Sequence, residues 1–141
     1  MNDLFVFPHR IKSYINSQLT SALKGMKTTP SQAPFLLCIG NNPGCSMKDM
    51  SIEMGADKSL VTHAVSHLME NELVEDISKS KKTYSLVLTE KGKNEMCVIQ
   101  DSIDSINSYL TSDLTPEELE AFERLYEKID KKLRDHFLYR S

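Results

Sequence analysis

Lys58, Ser59, Thr62, His63, Ser66 and His67 follow one another at steps of one and three residues, and each can donate or accept hydrogen bonds. At helical pitch they gather on or near one side of a helix, across from Val61, Val65 and Leu68 with Ala64 beside them. No carboxylate interrupts that side until Glu70. A solvated helix face ordinarily mixes in Glu, so an acid-free face of hydroxyl, imidazole and amine groups suits a polyanion and the edges of bases. A second cationic set, Lys79, Lys81 and Lys82, lies in Ser-Lys-Ser-Lys-Lys between two runs of β-formers. At a hairpin tip those amines are free to meet phosphates, although a lysine-rich turn alone would equally serve solubility.

The surrounding punctuation sets these residues in place. Ser46 with Asp49 three residues on approximates a capping box, and Gly55 follows Met54 where a short helix of about two turns would close. Asp57 then N-caps a second helix, Lys58 to about Asn71. Leu73 to Ile77 and Thr83 to Thr89 predict the two strands of a ribbon. Helix, tight turn, helix and ribbon make a winged helix-turn-helix, whose second helix presents its N-terminal residues to the major groove.

The rest of the chain is expected to hold two such units at a fixed spacing. Leu4, Phe7, Ile11, Ile15, Leu19 and Leu23 mark one face of an N-terminal helix, which either kinks at Pro8 or begins there behind an apolar arm. Thr29 as N-cap, Pro30 at the first helical position and Gln32 open a second helix carrying Phe35, Leu36, Cys38 and Ile39. Asn41-Asn42-Pro43-Gly44 is a strong turn that leads through Cys45 into a short third strand beside the wing. Thr89 caps a long helix to about Leu110, with Met96, Ile99, Ile103 and Ile106 in a heptad-like seam. Thr115 and Glu118 form a capping box for a last helix striped by Leu119, Phe122, Tyr126, Ile129, Leu133 and Phe137. These seams exceed what one small winged helix can cover, so a two-fold homodimer with interlocked terminal helices is expected. The fold class is therefore mainly α with a small β-hairpin wing. Residues 1–28 form an N-terminal dimerisation helix, 29–92 the winged helix-turn-helix and 93–141 the C-terminal dimerisation helices.

In order and spacing, Thr29-Pro30-Ser31-Gln32, Asp57-Lys58-Ser59-Leu60-Val61-Thr62, Leu68 with Leu73-Val74, and Leu86-Val87-Leu88-Thr89-Glu90-Lys91-Gly92 resemble the MarR family of winged-helix transcriptional regulators over nearly the whole chain. The resemblance implies a dimeric, sequence-specific regulator, expected to be a repressor, on a near-palindromic double-stranded operator. Its DNA contacts would come from Lys58, Ser59, Thr62, His63, Ser66, His67, Lys79, Lys81 and Lys82. It also implies a pocket between the first, second and fifth helices for a small aromatic or phenolic effector that releases DNA. Pro8, His9, Lys12, Phe35 and Cys38 are the candidates there, with helix packing and solvated charge as the plainer alternative. Three departures stand out. The wing carries Ser80-Lys81-Lys82 in place of Asp-x-Arg, losing the planar fork of an arginine, and is about two residues shorter. His63 and His67 stand where the family often has Arg, so affinity is expected to rise as pH falls from neutral toward six. Glu72 replaces the Gly that commonly ends the recognition helix, which leaves Asn71 to take the left-handed position.

The totals bound the alternatives. The chain has 141 residues, 17 Lys+Arg against 20 Asp+Glu and a net charge of -3, so no global basic field draws it to nucleic acid. Local charge is uneven, at +3 over 1–29 and +2 over 75–93, and local phosphate contacts set affinity. No apolar run approaches the roughly 20 residues that span a bilayer, and a cytoplasmic location is expected. Three cysteines fit neither a disulfide framework nor a metal pattern. No metal or other cofactor is expected. The chain has no glycine-rich phosphate loop, clustered His, Cys and carboxylate set or nucleophilic serine context, so it is not expected to be an enzyme. Two alternatives remain: a thiol-based redox sensor working through Cys45, with Cys38 and Cys97 as small core residues, and a protein-interaction winged helix that no longer binds DNA.

Overall fold

The computed structural model describes residues 3–80 and 82–140, with the side chains of residues 3–5 and 140 outside that description. Six helices and one hairpin follow in order: α1 (Asp3–Ala22), α2 (Ala33–Asn41), α3 (Met47–Met54), α4 (Lys58–Glu70), β1 (Val74–Asp76), β2 (Leu86–Leu88), α5 (Glu90–Leu110) and α6 (Pro116–Arg140). This is a mainly helical winged-helix fold with a two-stranded wing. Its core is the predicted stripe of α4, Val61, Val65 and Leu68, packed with Leu36 and Ile39 of α2, Met50 of α3, Leu73, Leu86 of the hairpin and Ile99 of α5. Fully burying an aliphatic side chain of this size contributes about 1.5–3 kcal/mol, so this cluster fixes α4 against the body of the molecule.

The caps explain where the elements start. Ser46 Oγ accepts from Asp49 N at 3.1 Å while Asp49 Oδ2 accepts from Ser46 N at 2.9 Å, the expected capping box. Thr89 Oγ1 accepts from Gly92 N and donates to Glu72 O at 2.6 Å, fastening α5 to the end of α4. Gly92 is required there because a Cβ would collide with the carbonyl oxygen of Leu73. Thr115 and Glu118 make the second capping box.

Of the two arrangements open at the N-terminus, the structure has the helix that starts before Pro8: α1 runs from Asp3, and Pro8 lies in its second turn, where only one intrahelical bond is lost. Four expectations need correction. The regular helix α2 begins at Ala33 instead of Pro30, and Thr29 Oγ1 pairs with Ser31 Oγ instead of capping. Pro34 is the physical reason, since it lacks the N–H that would continue the ladder back to Pro30. The strands are three residues each, paired Val74 with Leu88 and Asp76 with Leu86. Beyond them Ile77 N–H still donates to Ser85 O at 2.9 Å, but the Ser85 N–H turns to the Asp76 side chain instead of returning the bond. The third strand is a single bridge, Cys45 with Leu86. Finally, the left-handed residue after α4 is Glu72 (φ 60), and Asn71 keeps a negative φ of -92. Leu73 N–H donates to Leu68 O and Glu72 N–H to Met69 O, both at 3.0 Å, a Schellman closure that places the residue between Asn71 and Leu73 at positive φ whatever its type.

A buried carboxylate joins the two ends of the fold. Glu95 on α5 accepts from Thr28 N at 2.9 Å, Thr28 Oγ1 at 2.7 Å and Lys27 N at 3.3 Å. The loop leaving α1 is thereby tied to α5.

Candidate nucleic-acid interface

The core stripe of α4 decides which of its residues face water. Lys58, Ser59, Thr62, His63 and Ser66 are all exposed, as their spacing required, and no acid stands among them. His67 is only partly exposed. Its Nδ1 is buried without a hydrogen-bond partner and Nε2 lies 3.4 Å from Asn71 Nδ2, so this ring sits at the margin of the exposed face. Thr62 Oγ1 donates to Lys58 O at 2.9 Å. Its hydroxyl proton is therefore engaged, and its lone pairs are what it offers a partner.

At the wing, Lys79 and Lys82 are exposed, and Lys81 lies outside the described residues. The residue that shapes this tip is Asp76, which reading by composition missed. Its Oδ1 accepts from Ser85 N and Ser78 N, each at 2.9 Å, and its Oδ2 from Ser78 Oγ at 3.0 Å. These bonds, led by the Ser85 N–H and then the Ser78 N–H, hold its carboxyl below the ordinary carboxylate range. The family's Asp-x-Arg pattern is absent, yet an aspartate still organises the wing from its base.

Two further residues bear on α4, one on the exposed face and one at its C-terminal end. Leu60 is 52% exposed beside Ser59 and His63, an apolar group on an otherwise polar reading face. The signal was present in its spacing, which sets it off the Val61, Val65 and Leu68 stripe. Lys91 Nζ donates to Asn71 O at 3.2 Å, completing the carbonyl end of α4 with a cation where the helix dipole favours one.

The effector candidates fall in two environments. Pro8, His9 and Lys12 are exposed on α1, whereas Phe35 and Cys38 are buried in the core. Cys38 lines a cleft with Asn42, Cys45, Asp49 and Glu53. Burial, then the proximity of Cys45 and Glu53, pushes the Cys38 thiol up to about 11 against the smaller pull of Asn42. Cys45 is buried and raised by that burial and by Asp49. Both are held as thiols more firmly than a free cysteine, which weighs against Cys45 as a redox switch. Cys97, expected in the core, is exposed on α5. Among the described residues no group of three or more His, Cys, Asp or Glu is placed to hold a metal, and no helix is long and apolar enough to cross a membrane.

Comparison with known proteins agrees with this geometry. A sequence model described as the MarR family matches residues 28–80, from the loop before α2 to the wing. An HTH-type transcriptional regulator, BilQ, of Clostridioides difficile (strain CD3) is 26% identical over 98 residues, which are 68% of this chain and 66% of that protein. The crystal structure of a MarR family transcriptional regulator from Listeria monocytogenes complexed with 26mer DNA has a TM-score of 0.83 at 21% identity, covering 98% of this chain and 91% of the other. A MarR protein from Peptoclostridium difficile DA00132 has a TM-score of 0.87 at 22% identity, covering 99% and 92%. The sequence match covers residues 28–80, the helix-turn-helix and the base of the wing, and the likeness of fold extends through both terminal helices: over that stretch the chain is similar to the MarR family of winged helix-turn-helix transcriptional regulators.

Proposed function

We propose that the protein works as a homodimer on a near-palindromic double-stranded operator, each protomer laying the N-terminal half of α4 in a major groove. Ser59, Thr62, His63 and Ser66 would meet base edges with His67 at their margin, while Lys58, Lys79, Lys81 and Lys82 would meet phosphates. The observation that carries this reading is the acid-free, solvent-facing side of α4 from Lys58 to Ser66. The DNA complex of the Listeria monocytogenes relative supports the same class of partner.

Dimerisation is supported by what a lone chain leaves uncovered. Phe122, Leu125, Tyr126, Ile129 and Leu133 on α6 are each more than half exposed, and Tyr109 at the end of α5 is 66% exposed. Apolar surface in such a run marks an interface, and the terminal helices of a second copy are its natural cover. In this reading 1–28 and 93–141 form the dimer lobe and 29–92 the reading head. Occupying the operator represses transcription in the cytoplasm.

Release by a small aromatic acid belongs to the same proposal. Pro8, His9 and Lys12 are open to such a ligand, and Phe35 and Cys38 become reachable only if the head opens. Thermal shifts with a panel of aromatic acids test this part, and no shift with any of them would remove it.

The DNA surface itself is tested by Ser59→Asp. A carboxylate in the first turn of α4 suits the helix dipole, so thermal stability is expected to be unchanged or slightly higher. Operator affinity is expected to fall by at least about tenfold, the effect of a like charge set against phosphate. Undiminished affinity would mean that this side of α4 does not face DNA.

A further inference from the structure

The 25-residue helix α6 spans about 37 Å at 1.5 Å per residue. The element it packs against in its own chain is α3, not the neighbouring α5. Its middle is exposed while its last turns are seated on the reading head. There Phe137 lies against Gly55, the residue that closes α3 and leads into the recognition helix. A Cβ on Gly55 would fall 2.6 Å from Phe137 Cε2 and 2.8 Å from Cζ, so the contact exists because Gly55 has no side chain. Phe137 also borders a small cleft with Ser51, Ala56, Asp57 and Lys58, the turn itself and the first residue of α4.

That turn is stiff. Ala56 N–H donates to Ser51 O at 3.1 Å, and Ser51 Oγ donates to Ala56 O at 2.6 Å. Asp57, by contrast, makes no side-chain cap bond to α4. The N-terminal turn of the recognition helix therefore lacks the usual local anchor, and an aromatic ring from the far end of the chain borders it instead. A second cleft beside it is lined by Ile52 and Glu53 of α3 with Arg134 and Leu138 of α6, so the two helices meet over more than the Phe137 ring.

We propose that Phe137 is a positioning residue for the recognition helix and that α6 is a strut between the dimer lobe and the turn before α4. A shift of α6 produced where its exposed middle meets a second copy would be delivered to Gly55 and Asp57 without passing through α5 or the wing. This rests on the DNA-binding reading above for its consequence, but its physical core, the hold on the turn, does not.

The test uses the full chain with Phe137→Ala and the conservative Phe137→Leu. In Phe137→Ala, amide exchange over residues 55–61 is expected to accelerate while that of 86–88 in the wing is unchanged. Dimer dissociation is expected to match the wild type, and operator affinity to fall by roughly three- to thirtyfold, the range of couplings carried by residues that touch neither partner. Phe137→Leu is expected to restore most of both. Unchanged exchange over 55–61, or a loss of dimerisation that accounts for the loss of affinity, would overturn the proposal. A wild type that fails to bind operator DNA would defeat the DNA reading instead, and the exchange measurement would still decide whether Phe137 holds the turn.

Discussion

Glu72 shows how much one backbone angle can ask of a side chain. It holds φ 60 because the Schellman closure of α4 leaves that position no alternative, and a non-glycine residue there costs about 1–2 kcal/mol. Glu72→Gly removes that strain, offset in part by the greater freedom of glycine in the unfolded chain. We expect a net gain of about 0.5–1 kcal/mol in urea denaturation, the balance of those two terms. A loss of stability would show that the Glu72 side chain contributes more than its backbone costs. That Glu stands where the family commonly has Gly was legible in the sequence, but which neighbour takes the left-handed angle was not. The answer depends on where the 6→1 and 5→2 bonds close, and that is set by Leu68 and Leu73 seating together in the core. Leu60 and the polar face of α4 were legible by periodicity alone, because burial of Val61, Val65 and Leu68 fixes the rotation of the whole helix.

Among the elements, the wing depends on a single carboxylate. Asp76 replaces a rung of the β-ladder by taking the Ser85 N–H, and it collects the Ser78 N–H on the same oxygen. Because its folded pKa lies below the unfolded value, its contribution is complete above the ordinary carboxylate range, near 3.9. It is lost as pH falls through the depressed folded value. Amide exchange at Ser78 and Ser85 should lose protection over that acid window, while Leu86 and Leu88, held by the core, stay protected. Asp76→Ala should show the same selective loss already at neutral pH and should loosen Lys79 and Lys82. Equal protection in wild type and variant would mean that the wing is held by something else. Composition could not reveal this knot, since Asp in a turn between Ser and Lys reads as solvated charge; only the return of Ser85, nine residues on, gives it three donors. The starts of α3, α5 and α6 were readable because each cap lies within three residues of its partner. The start of α2 was misread because Pro34 outweighed the signal at Thr29 and Pro30.

At the scale of the whole molecule, the reading head shares one core with α1, the loop after it and α5 through Leu19, Leu23 and Ile99, whereas α6 and the end of α5 present apolar surface that the chain does not cover itself. Glu95, which ties Thr28 to α5, and Phe137, which reaches Gly55, are two of the long-range links between lobe and head. Both join residues more than sixty positions apart, and no local pattern announces such a pair. In the proposed DNA-bound state the net charge of -3 would suppress non-specific attraction to DNA and leave affinity to the few lysines of the head.

Two protomers each placing Lys58, Lys79, Lys81 and Lys82 on phosphates make about eight contacts, which predicts a slope near -7 for log affinity against log salt. A titration of the DNA upstream of its own gene, followed by fluorescence anisotropy from low to physiological salt, reads slope and stoichiometry together. Two chains per duplex with a slope of about that steepness is the expected result. Binding that ignores salt, or one chain per site, would contradict a dimer that reads DNA with paired α4 helices.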